Sequence, residues 1–264
     1  MTERGSNERG LLREDKDGVV TLTLNRPKQY NALTEELIAE LQGVFDSLME
    51  DKAARVVVIR ANGKAFCAGH DLKQMSAHTD ESYFREEFAS SGRMMVAMTK
   101  IPQPVIARVH GIATAGGCQL VANCDLAVAS EDASFATNGI SNGLFCSTPS
   151  VPISRNLKRK QAFEMLFTGE FIDAPTALAW GLVNRVVPAD RLDAAVAELT
   201  TSIKSKSRVT VTSGKRMFYE QLNMPLSEAY RFAGDVMAKD MMSEDAAEGI
   251  NAFIEKRKPV WQDR

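Results

Sequence analysis

Charge of one sign is what this 264-residue chain most plainly lacks: 32 basic and 34 acidic residues leave a net charge of −2. Without a basic excess there is no electrostatic case for nucleic acid or an anionic membrane as partner. No apolar run reaches the roughly 18 residues that a membrane span needs. The opening stretch MTERGSNERGLLREDKDG carries both charge signs and no apolar segment, which excludes a secretory signal, and it holds more acids than a transit peptide. It reads as a loose leader over residues 1–17, and the protein is expected in the cytosol. The four cysteines, Cys67, Cys118, Cys124 and Cys146, show no C-x-x-C spacing and read as free thiols of a reducing compartment. The three histidines, His70, His78 and His110, fit no metal-ligating spacing, so no metal site is expected. Neither G-x-G-x-x-G nor G-x-x-x-x-G-K-[ST] occurs, which disfavours a nucleotide-phosphate site. Repeats, low-complexity stretches and Pro/Gly/Ser linkers are missing too, which argues against two independent domains.

What is present suits one sizeable soluble domain: 44% hydrophobic and 25% charged residues over a length that can bury a full core. VVTLTLNRP, residues 19–27, alternates as a half-buried strand does and stops at proline. Thr34 offers an N-cap to a helix whose Leu37, Ile38, Leu41, Val44, Phe45 and Leu48 share one face. ARVVVIRA, residues 54–61, is a continuous β-branched run, the pattern of a strand covered on both faces. A helix over residues 80–98, a strand over 104–113, a short helix over 116–124 and a strand over 125–130 follow. Strands alternating with helices imply parallel βαβ units. From about Asn156 the pattern turns helical. The expected division is an α/β core over residues 18–198 and a helical C-terminal region over 199–264. Near the end, Ile250, Phe253 and Ile254 fall on one face of a helix expected to dock on the body, followed by Lys256, Arg257 and Lys258, the alternative being that these cations meet an anionic ligand or a neighbouring subunit.

Two strand ends carry glycine: NGKAFCAGHDLKQM, residues 62–75, and ATAGGCQ, residues 113–119. In open α/β sheets, ligands bind beyond the carboxyl ends of strands, where loops expose N–H groups. A helix opening at Gly116-Gly117 has free N–H groups and the positive end of its dipole there. Two such N–H groups from two loops, converging on one point, make an oxyanion hole. Each turn by itself is equally consistent with tight packing and nothing more.

Four ordered motifs, LNRPKQYNAL, KAFCAGHDLKQM, HGIATAGGCQLVANCDLAVASEDASF and EGINAFIEKRKPVW, together resemble the crotonase (enoyl-CoA hydratase/isomerase) family over residues 18–261. The resemblance implies an α/β crotonase-like fold of repeated ββα units with a helical C-terminal region, usually assembled as homotrimers or dimers of trimers. It implies an acyl-CoA partner, bound as substrate or ligand without a further cofactor, whose thioester oxygen becomes enolate-like. By position, the oxyanion hole would use the backbone N–H groups of His70 and Gly116. The His70 imidazole would then have no required catalytic part, though it could line the acyl pocket. Ala68 and His70-Asp71-Leu72-Lys73 would lie along the CoA, with Lys28 near its phosphates. Phe253 and Lys256 would reach its nucleotide end, in a neighbouring subunit.

The departures from that family bear on activity. Its hydratases place one glutamate directly after GGC and another about twenty residues on, and here these positions hold Gln119 and Gly139. Glutamine can hydrogen-bond a water but cannot take its proton, and glycine offers nothing, so efficient hydration is not expected. Changing both residues to glutamate is expected to restore some. Asn138, Cys146, Ser147 and Thr148 could face the pocket, whereas Glu86 and Glu87 read as a solvated helix face. Three functions compete: an enzyme acting on acyl-CoA, a non-catalytic acyl-CoA carrier or regulator, and a structural partner subunit. Gly116 argues against the last, because a scaffold without a ligand has no need of it.

Overall fold

The computed structural model describes residues 9–264. Strand β1, Leu11–Lys16, pairs antiparallel with β2, Val19–Leu24, through a turn at Asp17-Gly18. The expected loose leader is therefore corrected over this part. Its charged residues run consecutively, Arg13 to Lys16, along an exposed edge strand of which only Leu11 is buried, so the pattern lacks the apolar face that marks a strand in sequence. Residues 1–8 of that leader lie outside the described residues.

The next elements run α1, Glu35–Leu48; β3, Val56–Ala61; β4, Ala65–Cys67; α2, Leu72–Ser76; and α3, Glu81–Lys100. Thr34 caps α1 as expected, its side chain accepting from the Leu37 N–H. Leu37, Ile38, Leu41, Phe45 and Leu48 are buried on one face of α1, each contributing about 1.5–3 kcal/mol by leaving water. The chain continues β5, Val105–Val109; β6, Ile112–Thr114; α4, Gly116–Asn123; β7, Leu126–Ser130; β8, Ser134–Ala136; and α5, Ser147–Asn156.

A repeat unit emerges from this order. In β3–β4–α3, β5–β6–α4 and β7–β8–α5, the first strand joins a six-stranded sheet, the second joins a four-stranded sheet, and a helix closes the turn. The large sheet runs β1-β2-β3-β5-β7-β10 and the small one β4-β6-β8-β9. Here β9 is Ile172–Asp173 and β10 is Arg185–Val187. Pairing from β2 to β10 is parallel throughout. This is the expected crotonase-like α/β fold. The single strand expected over 104–113 is two strands in two sheets, bent between them at Gly111. A Cβ on Gly111 would sit 2.4 Å from the Lys64 carbonyl oxygen, so the bend demands glycine.

Between β9 and β10 lies α7, Ala174–Trp180, and α6, Arg159–Thr168, precedes them. The C-terminal helices are α8, Leu192–Lys204; α9, Arg208–Gln221; α10, Leu226–Asp240; and α11, Glu244–Ile254. The expected boundary at 198/199 falls inside α8. That helix belongs to the core, covering the second face of the large sheet. Val56, Val58, Ile106 and Val128 pack there against Leu192, Ala195 and Val196. On the opposite face Val57, Ile59, Val105 and Ala107 join the main core with α1, α3 and α4.

The α9 helix is tied down by Lys215, which is buried. Its Nζ lies 2.7 Å from Asp125 and donates to the carbonyls of Met98 and Gln103. Asp125 also accepts from the Tyr219 hydroxyl and the Val105 N–H, so its charge is fully engaged. The expected docking of α11 through its apolar face is corrected: Ile250, Phe253 and Ile254 are exposed. That helix is held instead by polar contacts. Asp245 accepts from the Ser207 hydroxyl and the N–H groups of Gln262 and Asp263.

Candidate active site

Where β4 and β6 end, two loops abut. Leu33 forms a bridge with the first loop: its N–H donates to the Gly69 carbonyl, and its carbonyl accepts from the Asp71 N–H. In such a ladder the intervening residue points its own N–H the other way, so the His70 N–H is turned from Leu33. Gly69 has φ +89°, and a Cβ there would lie 2.8 Å from the Gly116 nitrogen.

On the second loop, Ala115 precedes α4 with φ 48° and ψ −118°, a conformation that L-residues rarely adopt. Its N–H donates to the Ala136 carbonyl, which holds the turn. Gly116 then opens α4, where the first N–H groups have no intrahelical acceptor and no side chain caps them. Among the described residues, neither the His70 nor the Gly116 N–H donates to any protein acceptor. Both residues line one cavity of about 420 Å³.

That cavity has apolar walls from Leu72, Met75, Phe88, Leu144 and Phe145. Asn138, Asn142, Ser147 and Thr148 add amides and hydroxyls. Among the described residues, its lining holds no Asp, Glu, Lys or Arg. The imidazole of His70 stands edge-on to Phe88, ring centroids 5.6 Å apart at 84°. Its Nε2 is buried without a hydrogen-bond partner, and burial holds its pKa below the ordinary histidine value. Cys146 is pushed up by burial, against a smaller lowering from the Gly139 N–H, so it stays a thiol.

Of the residues expected at the site, Ala68, His70, Leu72, Gly116 and Gly139 line this cavity, as do Asn138, Cys146, Ser147 and Thr148. Gln119 is buried in α4, its Oε1 unpartnered, and is not in the lining. Asp71 caps α2 by accepting from the N–H groups of Lys73 and Gln74, and it pairs with Arg26 at 3.2 Å. Lys28, Lys73, Phe253 and Lys256 are exposed and outside the cavity of this chain.

Phe88 and Met75 carried no signal in sequence. They sit on helices whose remaining residues are largely polar, and only the fold turns them onto the site. Glu86 is exposed and paired with Arg93, as a solvated face requires. Glu87, expected beside it in solvent, is buried instead. Burial, and then the charges of Glu35 and Glu36, raise its carboxyl above the usual range.

Sequence comparison decides the kinship: residues 14–264 match the pattern of the enoyl-CoA hydratase/isomerase family. The chain belongs to that family. A family member from Xenopus laevis, enoyl-CoA hydratase domain-containing protein 3, is 43% identical over 94% of this chain and 84% of its own. A solved structure described as enoyl-CoA hydratase from Mycobacterium smegmatis superposes with TM-score 0.95 at 54% identity, covering 96% of this chain and 99% of the other. The human enoyl-CoA hydratase domain-containing protein 3 superposes with TM-score 0.93 at 42% identity, covering 96% and 100%.

These family relatives also correct the cytosolic expectation: the frog, rat and human proteins, 42–43% identical, are named as mitochondrial. That expectation rested on the composition of the first residues and on free thiols. Free thiols, which all four cysteines are, mark a reducing compartment without choosing among such compartments.

Proposed function

We propose that the protein binds acyl-CoA thioesters in this cavity and holds the thioester oxygen between the N–H groups of His70 and Gly116. The observation that carries this reading is that two unpartnered N–H groups from separate loops line one cavity. Preorganised donors of this kind contribute about 2.7–4 kcal/mol each where charge develops on oxygen, and the α4 dipole adds to them. The acyl chain lies against Leu72, Met75 and Phe88. The CoA runs past Ala68, Asp71 and Lys73 toward Lys28, with Phe253 and Lys256 supplied by a neighbouring subunit of a homotrimer or dimer of trimers. The reaction is of the hydratase or isomerase class, proceeds through an enolate and takes no further cofactor. Gln119 and Gly139, at the usual glutamate positions, make efficient hydration a poor fit.

A cavity lined by no carboxylate also favours a second reading, a non-catalytic acyl-CoA carrier or regulator. Turnover across a panel of acyl-CoA thioesters separates the two. Titration calorimetry tests the binding itself: thioesters are expected to bind and the free acids to bind much more weakly. No heat and no thermal shift at millimolar acyl-CoA would rule out this function.

A further inference from the structure

The cavity raises a problem of proton supply. Whether an enolate arises by removal of a proton from the carbon beside the thioester carbonyl or by addition to an enoyl double bond, some group must take a proton from that carbon or give one to it. Among the described lining residues only His70 and Cys146 carry a group that titrates near neutral pH. The Cys146 thiol is raised by burial and receives the Gly139 N–H, so it is a poor base near neutral pH. The His70 ring has the opposite properties. Its Nδ1 lies 3.2 Å from the point a Cβ on Gly116 would occupy, so the ring stands beside the second N–H donor. Its Nε2 is closed off without a hydrogen-bond partner, which leaves Nδ1, beside cavity-lining Gly116, as the nitrogen toward the cavity. The edge-on contact with Phe88 restrains the ring's attitude.

We infer that the His70 imidazole is the acid–base group of this cavity, taking a proton from the acyl α-carbon and returning it. The inference rests on the acyl-CoA reading above. With the thioester oxygen between the two N–H groups, the α-carbon is two bonds from that oxygen, and the ring stands beside one of the two donors. The Nδ1 lone pair takes the α-proton. The C–H pair becomes the enolate double bond, and the carbonyl π pair moves onto the oxygen. The imidazolium exchanges its proton with solvent and returns one to carbon. No oxidant, reductant or leaving group is needed, and the net change is exchange of the α-hydrogens. The desolvation that lowers the imidazole's pKa keeps it neutral, and so competent as a base, at neutral pH. One residue thus supplies a backbone donor for the oxygen and a side-chain base for the carbon.

The test follows the α-protons of butyryl-CoA in D2O by proton NMR, with binding measured separately by calorimetry on the same samples. Wild type is expected to exchange them. His70→Gln keeps the backbone N–H and a similar volume but cannot carry a proton. It is expected to bind within about threefold of wild type and to exchange about 10²–10⁴-fold more slowly. The wild-type rate is expected to climb with pH through an apparent pKa below about 6.5 and then level off, a limb that His70→Gln lacks. Exchange by His70→Gln at the wild-type rate, or a wild-type profile with no such limb, overturns the inference. So does wild type that binds butyryl-CoA without exchanging it, which leaves the binding reading standing. Wild type that binds no thioester overturns both.

Discussion

Gly116 and Gly117 are neighbours with opposite tolerances. A Cβ on Gly117 would lie 2.1 Å from the Cys67 carbonyl oxygen, so what approaches this backbone closely is the protein's own β4. A Cβ on Gly116 would meet a side-chain nitrogen at 3.2 Å and the Gly69 Cα at 3.3 Å, contacts that small shifts relieve. Gly117→Ala is therefore expected to cost at least the upper end of the about 1–3 kcal/mol typical of overpacking, read as a lowered melting temperature. Gly116→Ala is expected to melt near wild type yet bind acyl-CoA more weakly, and equal melting of the two would refute the distinction. Gly139 revises an expectation from the sequence. A Cβ there would lie 2.6 Å from the Leu144 carbonyl oxygen and 2.8 Å from the Cys146 sulfur, so the loop has closed over the space a glutamate would need. Wild type is expected to hydrate short enoyl-CoA substrates very slowly. Gln119→Glu is expected to raise that rate modestly, and adding Gly139→Glu to remove the gain, measured as loss of enoyl absorbance. A double variant faster than Gln119→Glu would show that the loop yields readily.

At the scale of elements, α9 depends on one buried ion pair. Burial lowers the Lys215 pKa, and Asp125 opposes this by favouring the charged form. Lys215→Met removes the cation and leaves the half-buried Asp125 carboxylate without its partner, a loss of up to about 3 kcal/mol, the lower end of the range for a buried pair. Denaturant titration is expected to show that loss, and a change below about 1 kcal/mol would mean that water reaches Asp125. Which elements the sequence discloses follows from their length and surroundings. The α1 helix was legible because its cap and its apolar face agree, and β3 because β-branched residues fill both of its covered faces. The strands β4, β8, β9 and β10 have two or three residues each, too short for any periodicity. Two prolines, Pro149 and Pro152, conceal α5. Pro149 sits in the first turn, where no N–H is needed, and Pro152 forfeits a single bond. Of the site, the glycines and Ala68, His70 and Leu72 were legible through the family's motifs. Ala115 was not, because an alanine announces no left-handed backbone. Buried Glu87 was not either, because a glutamate beside Glu86 in sequence reads as solvated.

The molecule as a whole leaves much apolar surface uncovered. No residue of α10 is buried, and Leu226, Tyr230, Met237 and Met242 are exposed together with Phe253 of α11. Light scattering at micromolar concentration is expected to find trimers or hexamers, and a stable monomer would contradict the proposed assembly. The tail contributes its own pH dependence. Burial works against the Asp245 carboxylate, but hydrogen bonds from Ser207, Gln262 and Asp263 prevail and hold its pKa below the ordinary aspartate value. A depressed pKa stabilises the fold fully above the unfolded value of about 3.9, and that contribution is lost as pH falls through the folded value. Asp245→Asn is therefore expected to melt lower than wild type at pH 7, with the gap narrowing below about pH 4. A gap that stays constant with pH would assign the loss to shape and not to charge. The order of the large sheet has a further consequence, for synthesis. From β1 to β10 each strand pairs with one made before it, so the sheet can grow turn by turn as the chain leaves the ribosome. Its second face cannot be covered in step. Val56 and Val58 wait for Leu192 of α8, an interval on the order of ten seconds at about 5–20 residues per second. During that interval the nascent chain presents a β-branched surface, with Arg60 and Arg108 at one end of the strands as its charged members, and an exposed apolar sheet face of this kind is prone to aggregate.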